Sequence, residues 1–265
     1  MHLSVIIVSF NTKGLTEACI RSALKEKTEL NLEIIVIDND SKDGSVEMLR
    51  RYKKSGRIRL IENDSNTGFS FANNQGIKIA KGRHVLLLNS DTVVKKGALK
   101  TLVDFADAYD NAGVVASQLL NADGSIQPSC LHFPTVKNAI LEFWLGKNGL
   151  FEKYAPRTKK PTVVDAAVGA SFLMTQKALK KVGMLDEKYF FYFEDIDYCR
   201  RVRAADLKVY YLPDSKVMHY HGASGKKIAD PANQWRRLIP SSKIYHGVFK
   251  HHLLGLIIRT GQKFR

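Results

Sequence analysis

A chain of 265 residues with 45% apolar and 25% charged residues has enough apolar side chain for a packed core, which excludes general disorder. Its formal net charge of +15 implies an anionic partner: nucleic acid, a membrane surface or a phosphorylated substrate. Three cysteines without pair spacing, Cys19, Cys130 and Cys199, argue against a disulfide framework or a zinc site and fit a reducing cytoplasm.

The opening MHLSVIIVSFN has no basic leader and no cleavage site, so Ser4–Ser9 reads as a buried strand and not as a signal peptide. Leu15, Ala18, Cys19, Ser22 and Ala23 then recur at helical spacing. Glu33–Asp38 (EIIVID) predicts a second buried strand, and Asp43-Gly44-Ser45 starts a helix with Val46 and Leu49 inward. Arg57–Glu62 is a third strand; Ala72, Gly76, Ile79 and Ala80 share a face of a third helix; Val85–Leu88 is a fourth strand. Apolar strands alternating with helices predict an α/β fold, a parallel sheet covered on both faces. Leu99, Leu102, Val103, Ala106 and Tyr109 form another helix face. Residues 120–162, with Pro128, Pro134, Pro156 and Pro161, read as loops. Val163–Thr175 reads as a strand pair or strand-turn, Gln176–Val182 and Glu194–Ala205 as helices, and Lys208–Leu212 and Lys216–His219 as strands.

In such sheets ligands bind beyond the carboxyl ends of the strands. Those ends are Ser9-Phe10-Asn11, Asp38-Asn39-Asp40, Asn63-Asp64 and Asn89-Ser90-Asp91, all polar or acidic. Asp91 has two readings: a carboxylate for Mg or Mn whose shell a diphosphate completes, or a cap on the next helix. Asp38 reads as an acceptor for a nucleobase or ribose, or as turn chemistry. Asn66, Gly68, Asn73 and Asn74 crowd the start of the third helix, as ligand contacts or as a turn and cap. Glu194-Asp195 follows five aromatics, Tyr189 to Phe193. Burial and like-charge crowding would raise a carboxyl pKa there, which suits a general base; the alternative is a macrodipole-favoured helix start. His219 and His221 end the last strand, as metal or phosphate ligands or as structural histidines. No phosphate loop, dinucleotide fingerprint or nucleophile elbow is present.

In this order and spacing, Ser4–Asn11, Asp38–Ser45, Asn66–Gly76, Asn89–Asp91, Gly169–Phe172, Phe193–Arg200 and His219 resemble the family 2 inverting glycosyltransferases, closest to the rhamnosyltransferase-like branch. The resemblance covers about residues 3–225 and implies a GT-A fold. Its sheet would be mostly parallel, with helices on both faces. A Rossmann-like nucleotide-sugar half (1–95) would join an acceptor and catalytic half (96–225). It further implies that Asp195 is the catalytic base with Glu194 beside it, and that Asp91 and His219 hold Mg or Mn, with His221 as fallback. Ser9, Asn11, Asp38, Asn39, Asn66, Gly68, Asn73, Asn74, Asn89 and Ser90 would line the nucleotide-sugar site. Asn89 stands where the family's Asp-x-Asp motif has its first Asp. The implied donor is dTDP-rhamnose, with a UDP-hexose as alternative, and the acceptor a lipid-linked saccharide of a bacterial envelope polymer.

Residues 226–265 hold nine Lys and Arg against one acid, Asp230. Trp235, Leu238, Ile239, Tyr245, Val248, Phe249, Leu253, Leu254, Leu256, Ile257 and Ile258 interleave with the cations. That composition predicts a basic amphipathic segment lying on an anionic membrane surface, and places the protein at the cytoplasmic side of the plasma membrane. The alternative is a helix packed on its own domain. No window reaches the roughly 18 apolar residues of a spanning helix. Nucleic-acid binding is the rival suggested by charge alone, but the cations lie away from the strand ends and no binding motif accompanies them. A non-catalytic sugar-nucleotide binder and a nucleotidyltransferase are the other rivals.

Overall fold

The computed structural model describes the backbone of residues 1–220 and 234–262 and the side chains of 1–220 and 238–262. Its first four strands are β1 (Leu3–Ser9), β2 (Leu32–Asp38), β3 (Arg59–Glu62) and β4 (His84–Leu88). They alternate with α1 (Lys13–Lys25), α2 (Ser45–Lys54) and α3 (Phe69–Ile79). Then come β5 (Thr92–Val94), α4 (Ala98–Ala108), β6 (Ala112–Leu120), β7 (Cys130–Leu131) and α5 (Val136–Ala139), which runs into a π turn, Ile140–Trp144. β8 (Thr162–Val164), β9 (Ala166–Ala167), β10 (Ser171–Met174), α6 (Gln176–Lys181), α7 (Glu194–Ala204), β11 (Lys208–His219), α8 (Gln234–His246) and α9 (Val248–Gln262) complete the order.

The main sheet runs β3-β2-β1-β4-β10-β6-β11-β5, with β8 also on β11. The first four strands are parallel, as their apolar runs predict. β6 and β11 share their direction, while β10, β5 and β8 oppose it, so the sheet is mostly parallel. Side chains alternate between two cores because strand residues point to opposite faces. Leu3, Val5 and Ile7 join α1, α2 and α4 on one face; Ile6, Ile35 and Ile37 join α3, α6 and α7 on the other.

Three features depart from the sequence reading. β6 is a nine-residue buried strand, AGVVASQLL, whose small and polar residues dilute the apolar signal. β11 is one strand, with a register shift between Leu212 and Lys216 where Pro213 supplies no N–H to the ladder. The stretch read as loops holds β7, α5 and the π turn. The C-terminal segment also packs on the domain: Leu254 and Ile257 bury against Ala139, and Tyr245 joins the second core. These three are therefore core residues, while Val248, Phe249 and Leu256 stay exposed. Among the described residues no helix is long and apolar enough to cross a membrane. His221, Lys226, Lys227, Asp230, Lys263, Arg265 and the side chains of Trp235, Arg236 and Arg237 lie outside the described residues.

Candidate active site

The chain leaves β4 at Leu88, and Asp91 enters β5 one residue later, at Thr92. No helix starts there, since α4 begins at Ala98, so Asp91 is not a helix cap. β5 pairs antiparallel with β11, with Thr92 opposite His219, and Tyr220 N donates to Asp91 O at 2.9 Å. This register brings two side chains far apart in sequence together: His219 Nε2 lies 3.4 Å from Asp91 Oδ1, both residues buried. His219 Nδ1 meets Gln127 Oε1 at 2.7 Å, and Gln127 Nε2 donates to His219 O at 3.2 Å. With the amide oxygen accepting from Nδ1–H, the ring is turned so that Nε2 faces Asp91, the arrangement in which outer partners orient metal-binding histidines. Sequence reasoning missed Gln127.

These groups fit a divalent cation. One carboxylate and one imidazole nitrogen, separated by roughly the spacing of adjacent ligands on a small cation, leave the remaining positions to diphosphate and water. The described residues supply no group of three or more His, Cys, Asp or Glu placed to hold a metal, so the protein's share of such a shell is small.

Asp91 and His219 line a cavity of about 370 Å³ with Asn89, Lys153, Glu194 and Asp195. α7 begins at Glu194, so its first turn projects both carboxylates into the cavity. Asp195 Oδ2 accepts from Gly169 N at 3.0 Å and Oδ1 from Ile196 N at 2.8 Å, which fixes the carboxylate plane. Phe69, Phe191, Tyr192 and Phe193 wall the cavity, and burial among them raises the Asp195 carboxyl, against the pull of the Ile196 and Gly169 N–H groups. Burial, and then the charge of Asp195, lift Glu194 well above the usual range. Tyr192 and Phe193 both have positive φ, 71° and 69°, a costly pair of left-handed residues immediately before the acidic pair.

The other strand ends divide into two groups. Asp38 is buried; its Oδ1 accepts from Ser41 N at 2.8 Å, and its Oδ2 makes no hydrogen bond within the described residues. Burial raises its pKa, opposed by Ser41. Asn11, at φ 53°, joins the β1 and β2 ends by donating N–H to Ser41 Oγ and accepting from Lys42 N. Ser9 Oγ contacts Thr16 Oγ1, and Ser90 Oγ accepts from Thr12 at 3.2 Å. Asn89 N donates to Ala170 O, which ties the end of β4 to the start of β10. By contrast, Asn39 spends its amide on Asn63, Asn66, Thr67 and Gly68. Asn74 spends its own on Leu185 and Glu187. In this structure the side chains of these two expected ligand contacts brace loops. Asn73 Nδ2 likewise turns back to Phe69 O, and Asn66 Oδ1 caps Gly68 N. Gly68, at φ 83° and ψ 174°, lets the start of α3 press on the aromatic loop, with Phe69 N donating to Phe190 O at 2.8 Å.

A parallel half-sheet, a mixed half-sheet and a carboxylate-lined crevice at their junction match the GT-A architecture. Among solved structures, GalNAc-T7 with UDP, GalNAc and Mn2+ superposes with a TM-score of 0.66 at 18% identity, covering 83% of this chain and 44% of that longer one. Staphylococcus aureus TarS 1–349 with UDP gives 0.61 at 17% identity, over 97% of this chain and 70% of that one. The model of glycosyl transferase family 2 matches residues 4–183, and the chain belongs to that family. The N-acetylglucosaminyl-diphospho-decaprenol L-rhamnosyltransferase of Mycobacterium tuberculosis is 27% identical over 249 residues, 87% of this chain and 79% of that protein. The dTDP-rhamnosyl transferase RfbF of Shigella flexneri is 24% identical over 231 residues, 86% of this chain and 72% of that protein.

Proposed function

We propose that this family 2 enzyme is an inverting, metal-dependent rhamnosyltransferase. It would move rhamnose from dTDP-rhamnose to a hydroxyl of a lipid-linked saccharide in bacterial cell-envelope polysaccharide synthesis, at the cytoplasmic face of the plasma membrane. The observation that carries this is one cavity with the Asp91–His219 pair and the Asp195 carboxylate both on its walls.

Residues 1–95 hold the donor, with Asp38 facing the base or ribose, and 96–225 present the acceptor. Asp195 takes the proton of the acceptor hydroxyl as that oxygen bonds the anomeric carbon. The bond from that carbon to the diphosphate oxygen breaks on the opposite face, so configuration inverts and no covalent enzyme intermediate forms. The Gly169 and Ile196 N–H groups hold Asp195 in place. The aromatic walls exclude water from the reacting carbon. A divalent cation, Mg or Mn, would be held by Asp91 and His219, with Gln127 orienting the histidine, and would supply charge neutralisation for the departing diphosphate. The rhamnosyl-transferring relatives support rhamnose, and the decaprenol-linked substrate in one relative's name supports a lipid-linked acceptor. The UDP held by TarS keeps a UDP-hexose donor as the second reading.

The test is a thermal-shift screen of dTDP-rhamnose and UDP-hexoses with Mn, followed by transfer assays on Asp195→Asn. The variant is expected to lose transfer by about 10²–10⁴-fold while keeping the donor-induced shift in melting temperature. Wild-type turnover in Asp195→Asn would remove it as the base, and full activity after chelation would remove the cation.

A further inference from the structure

α9 buries one side and exposes the other. Leu254, Ile257 and Gly261 face the domain; Gly261 comes so close to Phe143 that a Cβ there would lie 2.4 Å from its carbonyl oxygen. On the outer side Phe249, Leu256 and Thr260 are spaced i, i+7 and i+11, so they form one row along the helix. Thr260 Oγ1 accepts from Trp144 Nε1 at 3.0 Å, which extends the row onto the π turn. Phe249 is 80% exposed, Leu145 69%, Leu256 57% and Trp144 53%. Exposed aromatic and aliphatic side chains in such a row mark an interaction surface.

Its flanks are basic. Residues 238–262 contain no Asp or Glu, and Lys250 and Arg259 on α9 and Lys147 just after the π turn are all exposed. α8, which forms a hairpin with α9 across Gly247, is a wall of the active site on its inner side. Leu238 lines the catalytic cavity, and Ser241 Oγ donates to Phe191 O at 2.8 Å. Tyr245 packs on Phe193, and Arg200 lies 4.2 Å from the Tyr245 ring.

We infer that Trp144, Leu145, Phe249 and Leu256, with their basic flank, form a face that lies on an anionic lipid bilayer and holds the acceptor side of the catalytic cavity beside it. The inference rests on the lipid-linked acceptor of the proposed function. Apolar side chains that enter the headgroup region while cations meet anionic lipid need both halves of this surface. The π turn is a required part of it, although it lies outside the basic C-terminal segment. A second copy of the chain, equally basic at this face, would be repelled there.

The experiment is co-sedimentation of the full chain with vesicles of phosphatidylcholine, with and without phosphatidylglycerol, beside sedimentation velocity without lipid. The wild type is expected to bind the anionic vesicles, less so in high salt, and to stay in solution with the neutral ones. Phe249→Glu with Leu145→Glu, both exposed and outside the cavity, is expected to lower vesicle partitioning at least roughly tenfold. Transfer to a water-soluble acceptor should be unchanged in that variant. Equal vesicle binding by wild type and variant, no vesicle binding by the wild type, or a wild-type dimer that the substitutions dissolve would each overturn the inference. Vesicle binding without transfer from any donor would instead overturn the proposed function and leave the surface standing.

Discussion

Glu194 is the residue whose environment is least favourable to its own charge. It is buried, its Oε2 has no hydrogen-bond partner among the described residues, and a second carboxyl follows it directly. Its folded pKa is raised, so the folded protein keeps a proton that the unfolded chain gives up near pH 4.3. Stability therefore falls as pH rises from that value to the folded pKa, and stays lower above it. Glu194→Gln removes this loss. We expect it to melt higher than the wild type at pH 8, by about 1 kcal/mol or more, roughly 2–4 °C, with the gain vanishing near pH 4. Thermal unfolding at the two pH values checks this, and an equal shift at both would mean the carboxylate is not penalised. Asp91, Asp195 and His219 stood out in the sequence as strand-end and helix-start candidates, each with a structural alternative. Only their order in the family resemblance joined them as one expected site, which the structure gathers around one cavity. Gln127 did not stand out: it sits in a Pro-rich stretch, and its role exists only through His219, 92 positions away.

At the scale of elements, the site depends on an aromatic loop wedged between two helices. Tyr192 and Phe193 enter α7 through left-handed backbone, and the loop is held there by α3, through Phe69 N and Phe190 O. Gly68 makes that approach possible on two counts. Its φ and ψ suit glycine alone, and a Cβ would lie 2.6 Å from Phe190 O and 2.7 Å from the Phe190 ring. Gly68→Ala is expected to cost about 3 kcal/mol and to shift the loop that bears Glu194 and Asp195. Urea unfolding measures the first effect and kcat/KM the second; an unchanged midpoint would mean the approach is slack. Apolar strands between helices made the parallel half legible, because each buried strand carries its own signal. β6 and β10 were harder. β6 mixes Gly, Ala, Ser and Gln into a buried strand, and β10 inserts antiparallel between β4 and β6, a choice fixed by distant partners and not by its own four residues.

Across the whole molecule, the parallel part and the mixed part of the sheet are separate constructions that meet where β4 pairs with β10. Asp38 and its neighbours hang from β1 and β2 on the parallel side, while α7, β11 and the C-terminal hairpin build the other wall. Tyr245 joins that hairpin to α7. It is buried, it packs on Phe193 with ring centroids 5.3 Å apart, and it carries Arg200, which in turn is paired with the buried Asp197 at 2.6 Å. Tyr245→Ala therefore removes both an aromatic contact and the seat of a cation, at a cost of about 3 kcal/mol to the packing of the hairpin. Donor binding should change little, because no donor-side residue touches this contact. Acceptor KM should rise by roughly tenfold or more, because the wall containing Leu238 and Phe193 loses its brace. Tyr245→Phe keeps the ring and should keep the wild-type KM. Donor affinity from calorimetry and acceptor KM from transfer assays separate the two ends. If Tyr245→Ala weakens both equally, the hairpin supports the whole sheet and not the acceptor wall alone.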